Sequence, residues 1–315
     1  MAATTTASFS AAAQTLYRKK AFDFLRKNLY MHSSGMMTKI GKNQGQTIST
    51  YRINNLDAAT STLTEGTAPS EVQVDSTLFS AVLVQYGNWA KVTDMLEVTG
   101  RSNTMDQFSE QFGYNGALSI DTVTYTEYLA GATAYYANGT NVGTFSATSY
   151  MTSKDLRRLA KLFRYNNVPT FDDGFYRLYL NPDCEFDITT DDLFGGSTDL
   201  QRRDEDKQKW KGVVGTYGGF KVFTTSLISQ ADDIGTAEID DVYQNLAVGY
   251  GALINVHLDG MPFELFVNPS SNVNISNPLG QLGSIGWKAT YVADYIGADG
   301  PRAYKVYATA SEPSA

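Results

Sequence analysis

The sequence is poor in the residues on which most enzymes and secreted proteins rely. A single cysteine, Cys184, excludes any intrachain disulfide, so stability must come from packing and association. No helix N-terminus or basic cluster is evident in the sequence beside that thiol, and it reads as a small packed residue. There are two histidines, His32 and His257, and neither has a partner at metal-ligand spacing. A Ser-His-Asp triad or a histidine-bearing zinc site would need one of them, yet His257 sits in an apolar stretch and reads as a core or interface residue. There is no Walker loop, and Gly249-Tyr250-Gly251 lacks the third glycine of a dinucleotide loop. The Asp-Asp pairs at 172–173, 191–192, 232–233 and 240–241 lack the Asp-x-Asp-x-Asp-Gly spacing of a calcium loop, and most sit beside turns. No run approaches the ~18 apolar residues of a membrane-spanning helix. The first residues have neither the basic start nor the apolar segment of a secretory signal. The expectation is therefore no catalytic, cofactor-binding or metal site, no enzymatic turnover and no membrane partner.

Charge is also scarce. Charged residues make up 18% of the 315, against about 25% in typical soluble domains. The net charge of −8 is unevenly spread. Residues 1–45 carry Arg18, Lys19, Lys20, Arg26, Lys27, Lys39 and Lys42 against Asp23, a net +6, which leaves −14 for the rest. The body should repel nucleic acid. Arg18, Lys19, Lys20, Arg26 and Lys27 are the candidates to meet DNA or an acidic partner. A solvated face of an amphipathic helix is the plainer reading of the same charges.

What is present is apolar and aromatic. A 42% hydrophobic and 12% aromatic content, with twenty tyrosines, can build a core and suits interfaces. The length allows two domains. The most informative segment is residues 72–86, which alternates for fifteen positions. Its even positions read Val72, Val74, Ser76, Leu78, Ser80, Val82, Val84 and Tyr86, the pattern of a strand with one apolar face. At about 3.3 Å per residue it would reach roughly 50 Å, longer than strands in globular domains usually run. A second alternating run, residues 47–53, precedes it, with turn-rich sequence between them. Together they predict a long two-stranded arm. Such a hairpin is marginal alone and exposes edges that invite another chain. A neighbouring subunit should cover it, with Leu63, Thr64, Glu65, Pro69, Leu78, Val82, Val84 and Tyr86 as the candidate inter-subunit contacts.

The remaining pattern mixes helix and strand. Residues 1–13 are small and polar and read as disordered. Residues 14–30, with Leu16, Phe24 and Leu25 among basic residues, read as a short helix. From Thr104 a helical spacing of Met105, Phe108, Phe112, Ile120, Thr124 and Tyr128 runs to about Tyr136, with Gly113, Gly116 and Gly131 as candidate kinks. Thr152-Ser153-Lys154-Asp155 offers an N-cap for a helix bearing Leu156, Leu159, Ala160 and Phe163. Strands are expected at 175–180, 209–225, 263–267, 286–293 and 303–308, with 246–258 open to either type. Residues 199–211 read as an exposed charged loop. No internal repeat or regular βαβ beat occurs, so the fold class is α+β.

The order of these pieces resembles the major capsid protein of tailed bacteriophages with the Hong Kong 97-type fold, most closely the coliphage N-four-like family. Leu63-Thr64-Glu65-Gly66-Thr67-Ala68-Pro69, the long strand and Gln85-Tyr86-Gly87 are similar to the extended loop. Thr93-Asp94-Met95-Leu96 leads into a helix that resembles the spine helix. Leu178-Tyr179-Leu180-Asn181-Pro182 and Gly215-Thr216-Tyr217-Gly218-Gly219-Phe220-Lys221-Val222-Phe223 resemble axial-domain elements. Asn277-Pro278-Leu279-Gly280-Gln281-Leu282-Gly283-Ser284-Ile285-Gly286-Trp287-Lys288 is similar to the return into the peripheral domain. The match spans roughly residues 45–308.

The resemblance implies an N-terminal arm (1–45), an extended-loop hairpin (46–90), a peripheral domain (91–139 and 269–315) and an axial domain (140–268). It implies hexamers and pentamers tiling an icosahedral virion shell around double-stranded DNA, assembled in the host bacterial cytoplasm. Its partners would be other copies, a portal, a separate scaffolding protein and a cement or decoration protein. No lysine lies between Lys42 and Lys91, so a covalent crosslink from the extended loop is not expected. A cellular nanocompartment shell of the same fold enclosing a cargo enzyme is the alternative, and a β-rich binding module a more distant one.

Overall fold

The computed structural model describes residues 30–53, 56, 58–99, 104–139, 141–190, 213–234, 239, 241–259, 263–270, 278–297 and 300–311. The basic residues Arg18 to Lys27, the expected helix at 14–30 and the charged stretch 199–211 lie outside them, apart from Tyr30. The chain forms β1 (Met36–Ile40), β2 (Thr47–Ile53), β3 (Ser76–Val82), β4 (Val84–Thr93), α1 (Asp94–Thr99), α2 (Thr104–Gly131), β5 (Thr133–Tyr136) and α3 (Ser153–Tyr165). It continues through β6 (Tyr176–Leu180), α4 (Pro182–Thr190), β7 (Val213–Tyr217), β8 (Phe220–Thr224), β9 (Gln230–Ala231) and β10 (Val242–Val248). The last strands are β11 (Leu253–Leu258), β12 (Glu264–Asn268), β13 (Leu282–Tyr295) and β14 (Ala303–Ala308). The fold is α+β, as the mixed pattern predicts.

Three sheets result. In the first, β13 pairs antiparallel with β4, β11 and β12, and β1 adds parallel to β11. The second has the order β5–β14–β10–β6–β8–β7, with β9 beside β10. The third is the two-stranded β2–β3 arm. The apolar stretch 246–258 is strand on both sides of the Gly249-Tyr250-Gly251 turn, and at that turn the chain passes from the second sheet to the first. Backbone pairing crosses the domain boundaries expected from sequence. β5 and β14 bond into the sheet of β6 and β10, while β11 and β12 bond to β13. Strand partners are chosen by register across the sheet, which contiguity in sequence does not reveal.

Two helices carry the stripes read from the sequence. In α3, Leu156, Leu159, Ala160 and Phe163 are buried, and Phe163 stacks on Tyr176 at 4.7 Å and meets Tyr304 edge-on at 5.2 Å. Its start is fixed by Asp155, whose buried carboxylate accepts from the Thr152 N–H (3.0 Å) and hydroxyl (2.7 Å). The same carboxylate accepts from the Asn138 N–H (3.1 Å), the Tyr135 hydroxyl (2.8 Å) and Arg158 (3.1 Å).

Helix α2 runs unbroken for 28 residues through Gly113 and Gly116, which face the interior, so of the three candidate glycines only Gly131 marks a break. It ends at Gly131, five residues before the predicted end at Tyr136. Thr133–Tyr136 instead pairs parallel with β14, because β-branched and aromatic side chains fit a pleated, half-buried surface. Met105, Ile120, Thr124, Tyr125 and Tyr128 form the buried face.

Adjacent residues of α2 tie it to both large sheets. The Thr124 hydroxyl meets the Tyr291 hydroxyl on β13 at 2.8 Å, and the Tyr125 hydroxyl donates to the Gln244 carbonyl on β10 at 2.9 Å. One turn earlier, Asp121 accepts from the backbone N–H groups of Tyr30 (2.8 Å), Met31 (3.4 Å) and His32 (2.9 Å), which pins the chain leading into β1. Burial pushes the Asp121 carboxyl up to about 6, against the pull of those three donors.

A carboxyl raised on folding binds its proton more tightly in the folded state, so its contribution to stability is full below the unfolded value near 4 and is lost as pH rises through about 6. Urea unfolding from pH 4 to 6 should show wild type losing stability relative to Asp121→Asn as pH rises. A pH-independent difference between the two proteins would contradict this.

Candidate assembly interface

The fifteen-residue alternation is two strands, not one. β3 ends at Val82 and pairs with β2, while β4 begins at Val84 and pairs with β13. Leu83 is the joint. Its N–H donates to the Gln46 carbonyl (2.9 Å), and the Gln46 amide donates back to the Leu83 carbonyl (2.7 Å). Residues 72–75 are exposed and outside any strand. Alternation survives the joint because both strands are extended; it reports facing, and facing is blind to a change of partner.

The arm has one anchored face and one open face. Ile48, Phe79, Ala81 and Leu83 turn toward the body, where Leu83, Ile40, Ile254, Val256 and Ile296 form a small buried cluster with Ile48 and Phe79 packed against it. Register places Tyr51 opposite Leu78 and Thr47 opposite Val82, so these share the other face. That face is bare: Tyr51 is 70% exposed, Leu78 68% and Val82 50%. Beyond it, the described residues from Leu56 to Asp75 are exposed throughout. Their tip is a turn closed by the Thr67 N–H on the Thr64 carbonyl (3.2 Å), with Gly66 at φ 79°, a left-handed conformation that favours glycine.

Of the eight residues expected to meet a neighbour, Leu63, Thr64, Glu65 and Pro69 lie on this exposed tip. Leu78 and Val82 lie on the open face of β3, and Val84 is exposed at the start of β4. Tyr86 differs. It stands opposite Ala289 on β13 and is partly buried against the main core, because β4 has already joined the first sheet.

Sequence reasoning missed Tyr51 and Ile53, although the period-2 pattern of 47–53 put them on one face; only register joins that face to Leu78. It also missed a groove of about 480 Å³ across β4, β13 and β12, walled by Trp89 and Phe266. Both side chains are exposed and both flank Gly286, where a Cβ would come within 2.7 Å of the Trp89 Cβ.

The thiol of Cys184 and the ring of His32 are largely enclosed. Contrary to the sequence expectation, Cys184 lies in the first turn of a helix, α4, yet it is fully buried, takes a contact from the Asn245 amide at 3.2 Å, and is pushed up to about 12 by burial. Burial, aided by His257, lowers His32 to about 4, and its ring lies 3.3 Å from the Tyr291 hydroxyl. Asp172, Asp173, Asp232 and Asp233 are exposed, with Asp173 3.6 Å from Lys221. Among the described residues, no three His, Cys, Asp or Glu side chains gather as metal ligands, and no helix is long and apolar enough to cross a membrane.

The open face should tolerate polar substitution in the isolated subunit. Leu78→Lys with Val82→Lys should change unfolding free energy by less than about 1 kcal/mol, as exposed positions do, while raising the concentration needed for assembly more than about tenfold. That factor is ~1.4 kcal/mol, less than the ~1.5–3 kcal/mol from burying one large apolar side chain. Light scattering and chemical denaturation read the two effects, and unchanged assembly would exclude this face from the interface.

A family model described as phage capsid protein matches residues 76–306. No curated protein matches the sequence. The capsid protein of Ralstonia phage GP4 superposes at TM-score 0.71 with 13% identity, covering 92% of this chain and 93% of that one. The capsid of cyanophage P-SCSP1u gives 0.63 and 13%, covering 90% and 89%. A virus-like particle from Pyrococcus furiosus gives 0.55 and 12%, covering 93% and 99%. The likeness of fold thus extends to this particle as well as to phage capsids, while the family model favours the phage reading over a nanocompartment. With its bare-faced arm, long helix and two sheets, the chain belongs to the phage capsid protein family and is a shell-forming major capsid protein of the Hong Kong 97-type fold.

Proposed function

We propose that the protein assembles as hexamers and pentamers into an icosahedral shell around double-stranded DNA, in the manner of the coliphage N-four-like coats. The observation that carries this reading is the arm. It is anchored to its own body through Ile48, Phe79, Ala81 and Leu83, yet leaves Tyr51, Leu78 and Val82 bare. An apolar face on a two-stranded arm that pairs with no third strand among the described residues favours a repeating neighbour over a diffusible substrate.

In this reading the chain acts as a scaffold without turnover. The peripheral unit is built on β4, β11–β13 and α2, and the axial unit on the seven-stranded sheet with α3 and α4. Leu63, Thr64, Glu65 and Pro69 at the tip, with Leu78, Val82 and Val84, touch the adjoining subunit; Tyr86 supports β4 from within. With no lysine between Lys42 and Lys91, the contact is non-covalent. A separate scaffolding protein guides assembly in the host bacterial cytoplasm. A portal and a cement protein complete the virion, and Arg18, Lys19, Lys20, Arg26 and Lys27 offer cations to an acidic partner or to DNA.

Removing residues 54–70 should leave a folded, soluble body and abolish shells seen by electron microscopy, with a co-expressed scaffold where one is encoded nearby. Intact shells from the deleted protein would remove the arm from its clamping role. A wild-type protein that never forms rings or shells would overturn the assembly scheme.

A further inference from the structure

Helix α3 reverses the charge of the body it belongs to. Its exposed ionisable side chains are Lys154, Arg157, Arg158, Lys161 and Arg164, with Tyr165 beyond them, and its single acid, Asp155, is fully buried. The helix is thus +4, while the other residues of 46–315 hold 13 cations against 31 acids, a net −18. A face that is merely solvated mixes the two signs, often in i, i+4 pairs. This face has no exposed acid.

Four of the cations form a line. Lys154, Arg157, Lys161 and Arg164 recur at i, i+3, i+7 and i+10, on one side of the helix over about 15 Å. Arg157 is held in place by Tyr217, donating to its hydroxyl at 2.8 Å with the guanidinium 5.5 Å from the ring centre. Arg158 flanks the line, paired with Asp155 at 3.1 Å. Lys154, Lys161 and Arg164 form no ion pair with any described residue.

The bordering chain leaves this charge in the open. Gly218 and Gly219, at φ 61° and 95°, carry the β7–β8 turn past Leu156 and Arg164 with no side chain to cover them. On the other side, Arg158 reaches Gly139. Neither residues 217–219 nor residues 137–152 contain a charged side chain.

We propose that this line on α3 is a nucleic-acid site that takes the phosphate backbone of a duplex without reading its sequence. At about 3.4 Å of duplex rise per phosphate on one strand, the line spans about four phosphates, one for each cation. A protein partner fits less well, because the cores of protein interfaces are depleted in charge, and this face is almost wholly charge. Phosphate contacts position a duplex and carry no sequence information. In a shell, the α3 side of the seven-stranded sheet would then meet the packaged genome, a consequence that rests on the function proposed above. The binding itself belongs to the single subunit.

The test uses full-length, unassembled subunits and a fluorescent duplex of about 20 base pairs, read by anisotropy from about 20 to 150 mM salt. Lys161→Gln with Arg164→Gln should weaken binding more than about tenfold at the lowest salt. It should also reduce the slope of log K against log salt by about 2. Lys161→Arg with Arg164→Lys, which keeps both charges, should bind like wild type. Four results would overturn the proposal: no binding by wild type at the lowest salt, an unchanged slope in the glutamine variant, loss of binding in the charge-keeping variant, or polyglutamate displacing the duplex at equal charge, which would assign the face to an acidic polypeptide. Shells imaged separately by electron microscopy keep the two readings apart. Subunits that form shells but bind no duplex would sink the α3 site alone, and subunits that bind the duplex but form no shells would sink only the assembly scheme.

Discussion

The structure depends on burying one side of α2 against two sheets at once. Ile120, Tyr125 and Tyr128 supply apolar area, each worth roughly 1.5–3 kcal/mol when fully buried. Thr124 and Tyr125, adjacent in sequence, then fix the helix to β13 on one side and β10 on the other. The sheets exchange strands around this helix, so neither half of the sequence forms a self-contained layer. Asp121 adds the third tie by holding residues 30–32. Its carboxylate is costly to bury, and three backbone donors offset that cost.

A body organised this way leaves the arm as its least self-satisfied part. The arm spends one face of its strands on the body and keeps the other bare. Leu83 makes that division possible: by bonding both backbone groups to Gln46 it lets the chain leave one sheet and join another without losing its pleat. In a monomer the bare face is a liability. A contact repeated between identical copies, the role proposed for it, would turn that liability to use.

Much of this was legible in the residues. The period-2 run exposed the arm, the Thr152-to-Asp155 spacing located the start of α3, and the stripe from Met105 to Tyr128 gave the buried face of α2. The candidate contacts Leu63, Leu78, Val82 and Val84 are all exposed. The errors share one cause. The alternation could not show that β3 and β4 have different partners, the helical spacing could not show that Thr133–Tyr136 would be captured by β14, and contiguity could not assign β11 and β12 to the sheet of β13. Tyr51 escaped notice for the same reason, since its alliance with Leu78 exists only in the register of two strands.

Local chemistry is written in order along the chain, so sequence alone determined the α+β class, the existence of the arm, the capped helix and the lack of a crosslinking lysine in the loop. Which strand pairs with which, which face of the arm stays open, and how Asp121 holds the chain that leads into β1 were decided only by the tertiary structure. Those choices rest on contacts between residues far apart in the chain, 91 positions for Tyr30 and Asp121 and 167 for Thr124 and Tyr291, whose free energy depends on the whole packing and not on any local pattern.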